Sequence, residues 1–114
     1  GRPLVNMMID KGATVTCCNS QTEDLDWHTN GANIIISAIG KPKYLDSAYF
    51  WDNSGEIIID VGINRDENGK LCGDVDKEKL HYSYVTPVPG GVGLLTRNAL
   101  LENVVAAYKL WNGE

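Results

Sequence analysis

Pro87-Val88-Pro89-Gly90-Gly91-Val92-Gly93 is the stretch of this sequence with the most capacity for chemistry. It lies between a short strand-like run, Tyr84-Val85-Thr86, and the longest helical pattern in the chain, which starts near Leu94. Its prolines fix φ and stiffen the approach. Its glycines open backbone conformations closed to other residues and let a ligand touch the main chain. The helix behind adds unpaired N–H groups and the positive end of a dipole. Taken alone, such a hinge is also an ordinary tight turn. What decides between the two readings is where the other small and polar loops fall.

Three further segments sit where a strand ends: Asn19-Ser20-Gln21, Gly40-Lys41-Pro42 and Gly62-Ile63-Asn64. The runs before them are Thr14 to Cys18, Asn33 to Ile39, and Glu56 to Val61. Continuous apolar runs such as Ile34-Ile35-Ile36 are the habit of parallel strands buried on both faces. Between the strands lie helical patterns over about 3–11, 23–30 and 94–111, one helical turn over about 76–80, and a short helix or turn over about 46–52. In the first, Leu4, Met7, Met8 and Lys11 fall at helical spacing behind Pro3, and Gly12 marks the stop. In the last, Leu101, Val104, Val105 and Tyr108 mark the face expected to be buried. Residues 65–73 carry Asn68-Gly69 and read as a hairpin. Tyr49-Phe50-Trp51 reads as a lid on the core, with a base-stacking platform as the second reading.

Alternating strands and helices predict an α/β fold, a mostly parallel open sheet with right-handed crossovers. In such a sheet ligands bind at the carboxyl ends of the strands, where all four segments fall. That convergence predicts a nucleotide-type site. The opening Gly1-Arg2-Pro3-Leu4 reads as the first turn of a helix whose preceding strand is missing, so a fragment is expected.

Composition narrows the function. At 114 residues the chain makes one compact domain, and 43% hydrophobic content supports a core. A net charge of −5 with scattered bases argues against nucleic acid as the main partner. No apolar run approaches the roughly 20 residues of a membrane helix. Cys17, Cys18 and Cys72 have no metal-type spacing and read as small buried thiols of a reducing compartment; His28 and His81 read as surface or boundary residues. No metal site is expected.

The motifs Gly1-Arg2-Pro3, Ala38-Ile39-Gly40-Lys41-Pro42, Ile59-Asp60-Val61-Gly62-Ile63-Asn64, Gly73-Asp74-Val75 and Thr86 to Gly93, in this order, resemble the nucleotide-binding half of the bifunctional methylenetetrahydrofolate dehydrogenase/cyclohydrolase family. The resemblance covers essentially the whole chain. It implies a Rossmann-type NAD(P)-binding domain over 1–114, with helices on both faces of a sheet that lacks its first strand. It implies oxidation of 5,10-methylenetetrahydrofolate by hydride transfer to NADP, with NAD possible. That step is commonly coupled to hydrolysis of the methenyl product. The catalytic lysine and its helpers belong to an amino-terminal domain outside this chain, so no catalytic residue is assigned here. The resemblance places Ser20 and Gln21 at the adenosine ribose and its 2′-phosphate, Gly40 and Pro42 under the cofactor, Gly62 and Ile63 at the nicotinamide end, and Thr96 nearby. It places Gly90, Gly91 and Val92 against the folate. It further implies a cytoplasmic homodimer serving one-carbon metabolism and purine biosynthesis. Two departures stand out: Leu94-Leu95 replace the family's usual Pro-Met, and Gln21 stands where a basic residue is frequent. A second reading is a folded but silent nucleotide-binding or dimerisation module, dimeric through the 65–73 hairpin.

Overall fold

The structure is a computed structural model and describes residues 2–51, 56–80 and 84–113. His81, Ser83, where the strand through Tyr84-Val85-Thr86 is expected to begin, and Asp52, at the end of the short helix or turn expected over 46–52, lie outside the described residues.

Helix α1 spans Arg2–Asp10 with Pro3 in its first turn, where the missing N–H costs nothing. It ends on Gly12 at φ +88. The Gly12 N–H reaches Ile9 O at 2.9 Å and the Ala13 N–H reaches Met8 O at 3.1 Å, the paired bonds of a Schellman stop. Of the apolar stripe, Leu4 and Met8 are half-buried and Met7 is exposed.

The strand expected over 14–18 does not form. A strand exists only through its ladder, and among the described residues no backbone bond from another segment reaches 14–18. The β-branched residues there record a preference for extended backbone, which the chain keeps without a partner. Helix α2, Leu25–Asn30, begins later than the 23–30 pattern, because Asp24 sits in the left-handed region at φ 49.

Strands β1 (Ile34–Ser37), β2 (Ile57–Asp60) and β5 (Tyr84–Val85) form a parallel sheet in the order β1-β2-β5. The register pairs Ile35 with Ile58 and Ile58 with Val85, which puts these three on one face. That row is the centre of the core, with Leu45, Phe50 and Val75 buried against it and Leu25, Tyr49 and Leu80 packed around. The expectation that these strands are buried on both faces is corrected. On the opposite face Ile34, Ile57 and Tyr84 are exposed.

Of the short helix or turn expected over 46–52, the structure shows a single 3-10 turn, Ser47–Tyr49. Asp46 starts it by accepting the Ala48 N–H at 2.9 Å. The turn is tied to α2: Thr29 Oγ1 donates to Tyr49 O, and Asn30 Oδ1 accepts the Trp51 N–H at 2.6 Å. Phe50 is the buried part of the aromatic lid, whereas Trp51 is exposed.

The hairpin is present as β3 (Asn64–Arg65) and β4 (Leu71–Cys72), antiparallel, with Gly69 at φ +76 in its turn. Asp66 Oδ1 accepts both the Asn68 and Lys70 N–H groups at 2.9 Å, which fixes the turn from within. Cys72 is buried, Cys18 is half-buried and Cys17 is exposed, so the reading of all three as buried thiols holds for one. A second 3-10 turn, Lys77–Lys79, precedes β5.

Helix α3 spans Val92–Trp111. Its expected buried face is corrected: Leu101, Val104, Val105 and Tyr108 are all more than half exposed. The sequence period identifies an apolar stripe but not what covers it, and among the described residues no other element makes a substantial contact with α3.

Candidate functional site

The three parallel strands end side by side, so the segments after them form one edge. These are 38–42, 61–64 and 86–91. What holds this edge in shape is a pair of buried carboxylates, Asp60 and Asp74, 2% and 0% exposed.

Asp60 is the last residue of β2. Its Oδ1 accepts the N–H of Gly62 at 3.0 Å and of Asp74 at 3.1 Å, and its Oδ2 accepts the N–H of Val75 at 3.1 Å. Its own N–H donates to Thr86 Oγ1 at 2.9 Å, which ties in the segment after β5. Asp74 is reached by a second crossing. Its Oδ2 accepts Ser37 Oγ at 3.1 Å and the Ile39 N–H at 2.7 Å. Its Oδ1 accepts the Gly40 N–H at 3.2 Å and Asn64 Nδ2 at 2.9 Å. The backbone beside it runs parallel to 43–45: Lys43 N–H meets Gly73 O at 3.0 Å and Leu45 N–H meets Asp74 O at 2.9 Å.

Burying a carboxylate pushes its pKa up, and that is the largest single influence on Asp74. The combined hydrogen bonds from Asn64, Ile39, Ser37 and Gly40 outweigh it and hold the Asp74 carboxyl below its ordinary value. A carboxylate without a paired cation is tolerable in a protein interior only when its lone pairs are filled in this way.

The glycines of the two motifs follow from the same packing. A Cβ on Gly62 would overlap the Asp74 carboxylate, and a Cβ on Gly73 would overlap that of Asp60. By contrast, Gly40 at φ +80 and Gly90 at φ +96 have no atom within 4 Å of where a Cβ would lie. They border open space at the sheet edge and take backbone conformations that suit glycine. Gly91 is different again, because its Cβ would overlap the Pro87 carbonyl. Its smallness therefore closes the turn on itself, around the cis Val88–Pro89 bond.

The expected site residues divide into two groups. Gly40, Gly62 and Ile63 lie on the clasped edge, and Ile63 is 74% exposed there. Exposed Pro42 completes the 38–42 segment. Gly90, Gly91 and Val92 follow Thr86, which Asp60 anchors, and Val92 opens α3. Ser20 and Gln21 sit in a local turn, with Asn19 N–H on Thr22 Oγ1 and Gln21 N–H on Asn19 Oδ1, both 2.8 Å. That turn follows the unpaired 14–18 segment, so it is not part of the sheet edge. Thr96 bonds back to Val92 O at 3.2 Å on the exposed α3. Lys41, the basic group nearest Gly40 in sequence, lies 5.1 Å over the Tyr44 ring, which stacks on Tyr49.

Sequence reasoning missed what Asp60 and Asp74 do. The signal was present: an aspartate closing an Ile-Ile-Ile strand is a polar residue at a position that should be buried, and it needs a set of donors nearby.

Comparison with known proteins places this geometry. Residues 1–112 match the family model described as "Tetrahydrofolate dehydrogenase/cyclohydrolase, NAD(P)-binding domain". The bifunctional protein FolD of Anoxybacillus flavithermus is 50% identical over 111 residues, 96% of this chain and 38% of the relative. That of Clostridium botulinum is 52% identical over 109 residues, 94% of this chain and 38% of the relative. Among solved structures, the FolD methylenetetrahydrofolate dehydrogenase/cyclohydrolase of Campylobacter jejuni superposes with a TM-score of 0.87 at 48% identity, covering 96% of this chain and 39% of the other. The Trypanosoma brucei enzyme, solved with NADP cofactor and inhibitor, gives 0.80 at 33% identity, with 96% and 39% coverage. The chain thus spans well under half the length of the relatives it matches.

Proposed function

The chain belongs to the tetrahydrofolate dehydrogenase/cyclohydrolase family, as its NAD(P)-binding domain, and from that premise we propose that it holds NADP for oxidation of 5,10-methylenetetrahydrofolate. The observation that carries the reading is the clasped edge. Three strand-end segments are fixed from below by Asp60 and Asp74, while Gly40 and Gly90 leave open space above. Such a rigid, open strand-end edge fits a dinucleotide laid across the carboxyl ends of a parallel sheet.

In this reading the Gly40 to Pro42 segment lies under the dinucleotide and Gly62 and Ile63 meet its nicotinamide end. Ser20 and Gln21 meet the adenosine ribose and Thr96 stands near the nicotinamide. When bound, the cofactor accepts a hydride from the folate carbon. The chain's own contribution is positioning, since holding donor and acceptor in register is itself worth a large share of a hydride-transfer barrier. Gly90, Gly91 and Val92 present main chain to the folate. No side chain of this domain moves a proton in the reaction. The general base and the other wall of the folate cleft come from an amino-terminal domain, and the cyclohydrolase step depends on that domain as well. The whole enzyme is a cytoplasmic homodimer that supplies one-carbon units, including those for purine biosynthesis.

The test is binding. Calorimetric titration of the chain with NADP and with NAD should show saturable one-to-one binding to at least one of them. Absence of binding to either overturns the reading. The same preparation should not turn over methylenetetrahydrofolate, because the general base lies elsewhere.

A further inference from the structure

Asp74 touches neither open edge segment's outer surface, yet it is bonded to both. Its two oxygens are divided between donors: Oδ2 serves Ser37 and Ile39 from β1 and its exit, and Oδ1 serves Gly40 and, from the hairpin side, Asn64. It is fully buried directly beneath Gly62, whose lack of a side chain lets the carboxylate approach. Beyond the last ladder bond, Val61 N–H to Ser37 O at 2.9 Å, this one side chain ties the Gly40 segment to the Ile63-Asn64 segment. Among the described residues no other side-chain hydrogen bond bridges these two segments.

We propose that Asp74 is a positioning residue for the dinucleotide, acting by locking the Gly40 and Ile63-Asn64 segments at the spacing that the cofactor spans. This rests on the cofactor reading above. The requirement is for four acceptor sites on one side chain. An asparagine of the same shape offers one oxygen, and turns an NH2 group toward donors on its other side. Replacing Asp74 by Asn therefore sets donor against donor on one of the two segments, whichever way the amide is oriented. The change leaves the Asn19 to Thr22 turn untouched, because that turn is closed by its own bonds.

The experiment compares the wild-type chain with Asp74→Asn and Asn64→Ala. Each is titrated with NADP and with adenosine 2′,5′-bisphosphate, which carries only the end of the dinucleotide assigned to Ser20 and Gln21. Backbone amide exchange is followed by NMR at Ile39 and Gly40. Losing charge-assisted bonds that hold one segment should weaken NADP by about tenfold in Asp74→Asn, the equivalent of one decade in Kd. Asn64→Ala removes only the hairpin-side bond and should give a smaller loss in the same direction. Affinity for the bisphosphate should stay at the wild-type value, and exchange at Ile39 and Gly40 should accelerate in Asp74→Asn alone. A general loosening of the fold would weaken both ligands together, and that result overturns the role. Unchanged NADP affinity in both variants, with a wild-type chain that binds, also overturns it and leaves the cofactor reading standing. A wild-type chain that binds neither nucleotide overturns the cofactor reading, and this role with it.

Discussion

Asp60 accepts the backbone N–H of Asp74 at 3.1 Å, so each of the two buried carboxylates fixes the chain that carries or flanks the other. The relationship is crossed. Gly62, two residues after Asp60, lies against the Asp74 carboxylate, and Gly73, one residue before Asp74, lies against the Asp60 carboxylate. The motifs Asp60-Val61-Gly62 and Gly73-Asp74-Val75 are thus two halves of one device. Each supplies a carboxylate and the bare backbone that the other carboxylate needs.

Gly62→Ala and Gly73→Ala should therefore destabilise the chain sharply, although alanine is the smallest possible change. The overlapped atoms belong to side chains held by three or four hydrogen bonds, so they have no room to yield. Overpacking of this kind typically costs about 1–3 kcal/mol. The midpoint of urea unfolding measures it. A loss below about 0.5 kcal/mol, the scatter of ordinary surface substitutions, would mean that the two carboxylates can move aside.

Acid should release the same clasp. Asp74 has its carboxyl pKa lowered in the folded chain, because its four donors outweigh the upward push of burial. The unfolded chain then takes up the Asp74 proton at a higher pH than the folded chain does. The stabilisation is complete above the ordinary carboxylate range, and it is lost as the pH falls through the lowered folded value. Melting temperature followed from pH 7 downward should drop more steeply in the wild type than in Asp74→Asn, which has no carboxyl to titrate there. Parallel curves would show that Asp74 contributes nothing to acid lability.

The parts of the fold that were legible from sequence are those where local pattern and tertiary partner agree. Ile34-Ile35-Ile36 and Ile57-Ile58-Ile59 are strands, paired in parallel, and Asn68-Gly69 turns a hairpin. Residues 14–18 carry a preference for extended backbone, but such a preference does not supply a neighbouring strand. The aromatic trio was half legible: Phe50 faces Ile58 in the core, while Trp51 is turned out and bonded through its N–H to Asn30. For the candidate site, the strand-end positions of Gly40, Gly62 and Gly90 could be read from the turn residues alone. The Asp60–Asp74 crossing could not, because it depends on two segments 14 residues apart meeting at one point.

Leu101→Ala gives a direct measure of the difference between stripe and core. Read from its period, Leu101 belongs to a buried helix face, and truncating a core leucine costs about 2–5 kcal/mol. In the structure it is 66% exposed. Truncation in this chain should then change stability by less than about 0.5 kcal/mol, with Leu→Ala raising helix propensity slightly. Ile58→Ala, on a residue with no exposed surface, should give the full core penalty and serves as the reference. A large loss at Leu101 would place α3 against another part of the chain.

In the proposed placement of the dinucleotide, cofactor choice turns on residue 21. The Asn19–Thr22 turn uses the Gln21 backbone N–H to bond Asn19 Oδ1, and both Ser20 and Gln21 are exposed. If this turn meets the adenosine ribose, Ser20 offers a hydroxyl and Gln21 an amide, and neither brings charge to a 2′-phosphate. A hydrogen bond to a charged group contributes about 1.5–3 kcal/mol, against roughly 0.5–1.5 for a neutral one. Lys41, a basic alternative, has its ammonium over the Tyr44 ring. Preference for NADP over NAD should accordingly be modest in this chain. Gln21→Arg should tighten NADP by about tenfold, since a guanidinium can grip a phosphate with two parallel N–H bonds. NAD has no 2′-phosphate, so its affinity should stay where it is. The ratio of the two dissociation constants before and after the substitution is the measurement. An unchanged ratio would mean that residue 21 points away from the ribose, and the adenosine end would have to be placed away from the Asn19–Thr22 turn.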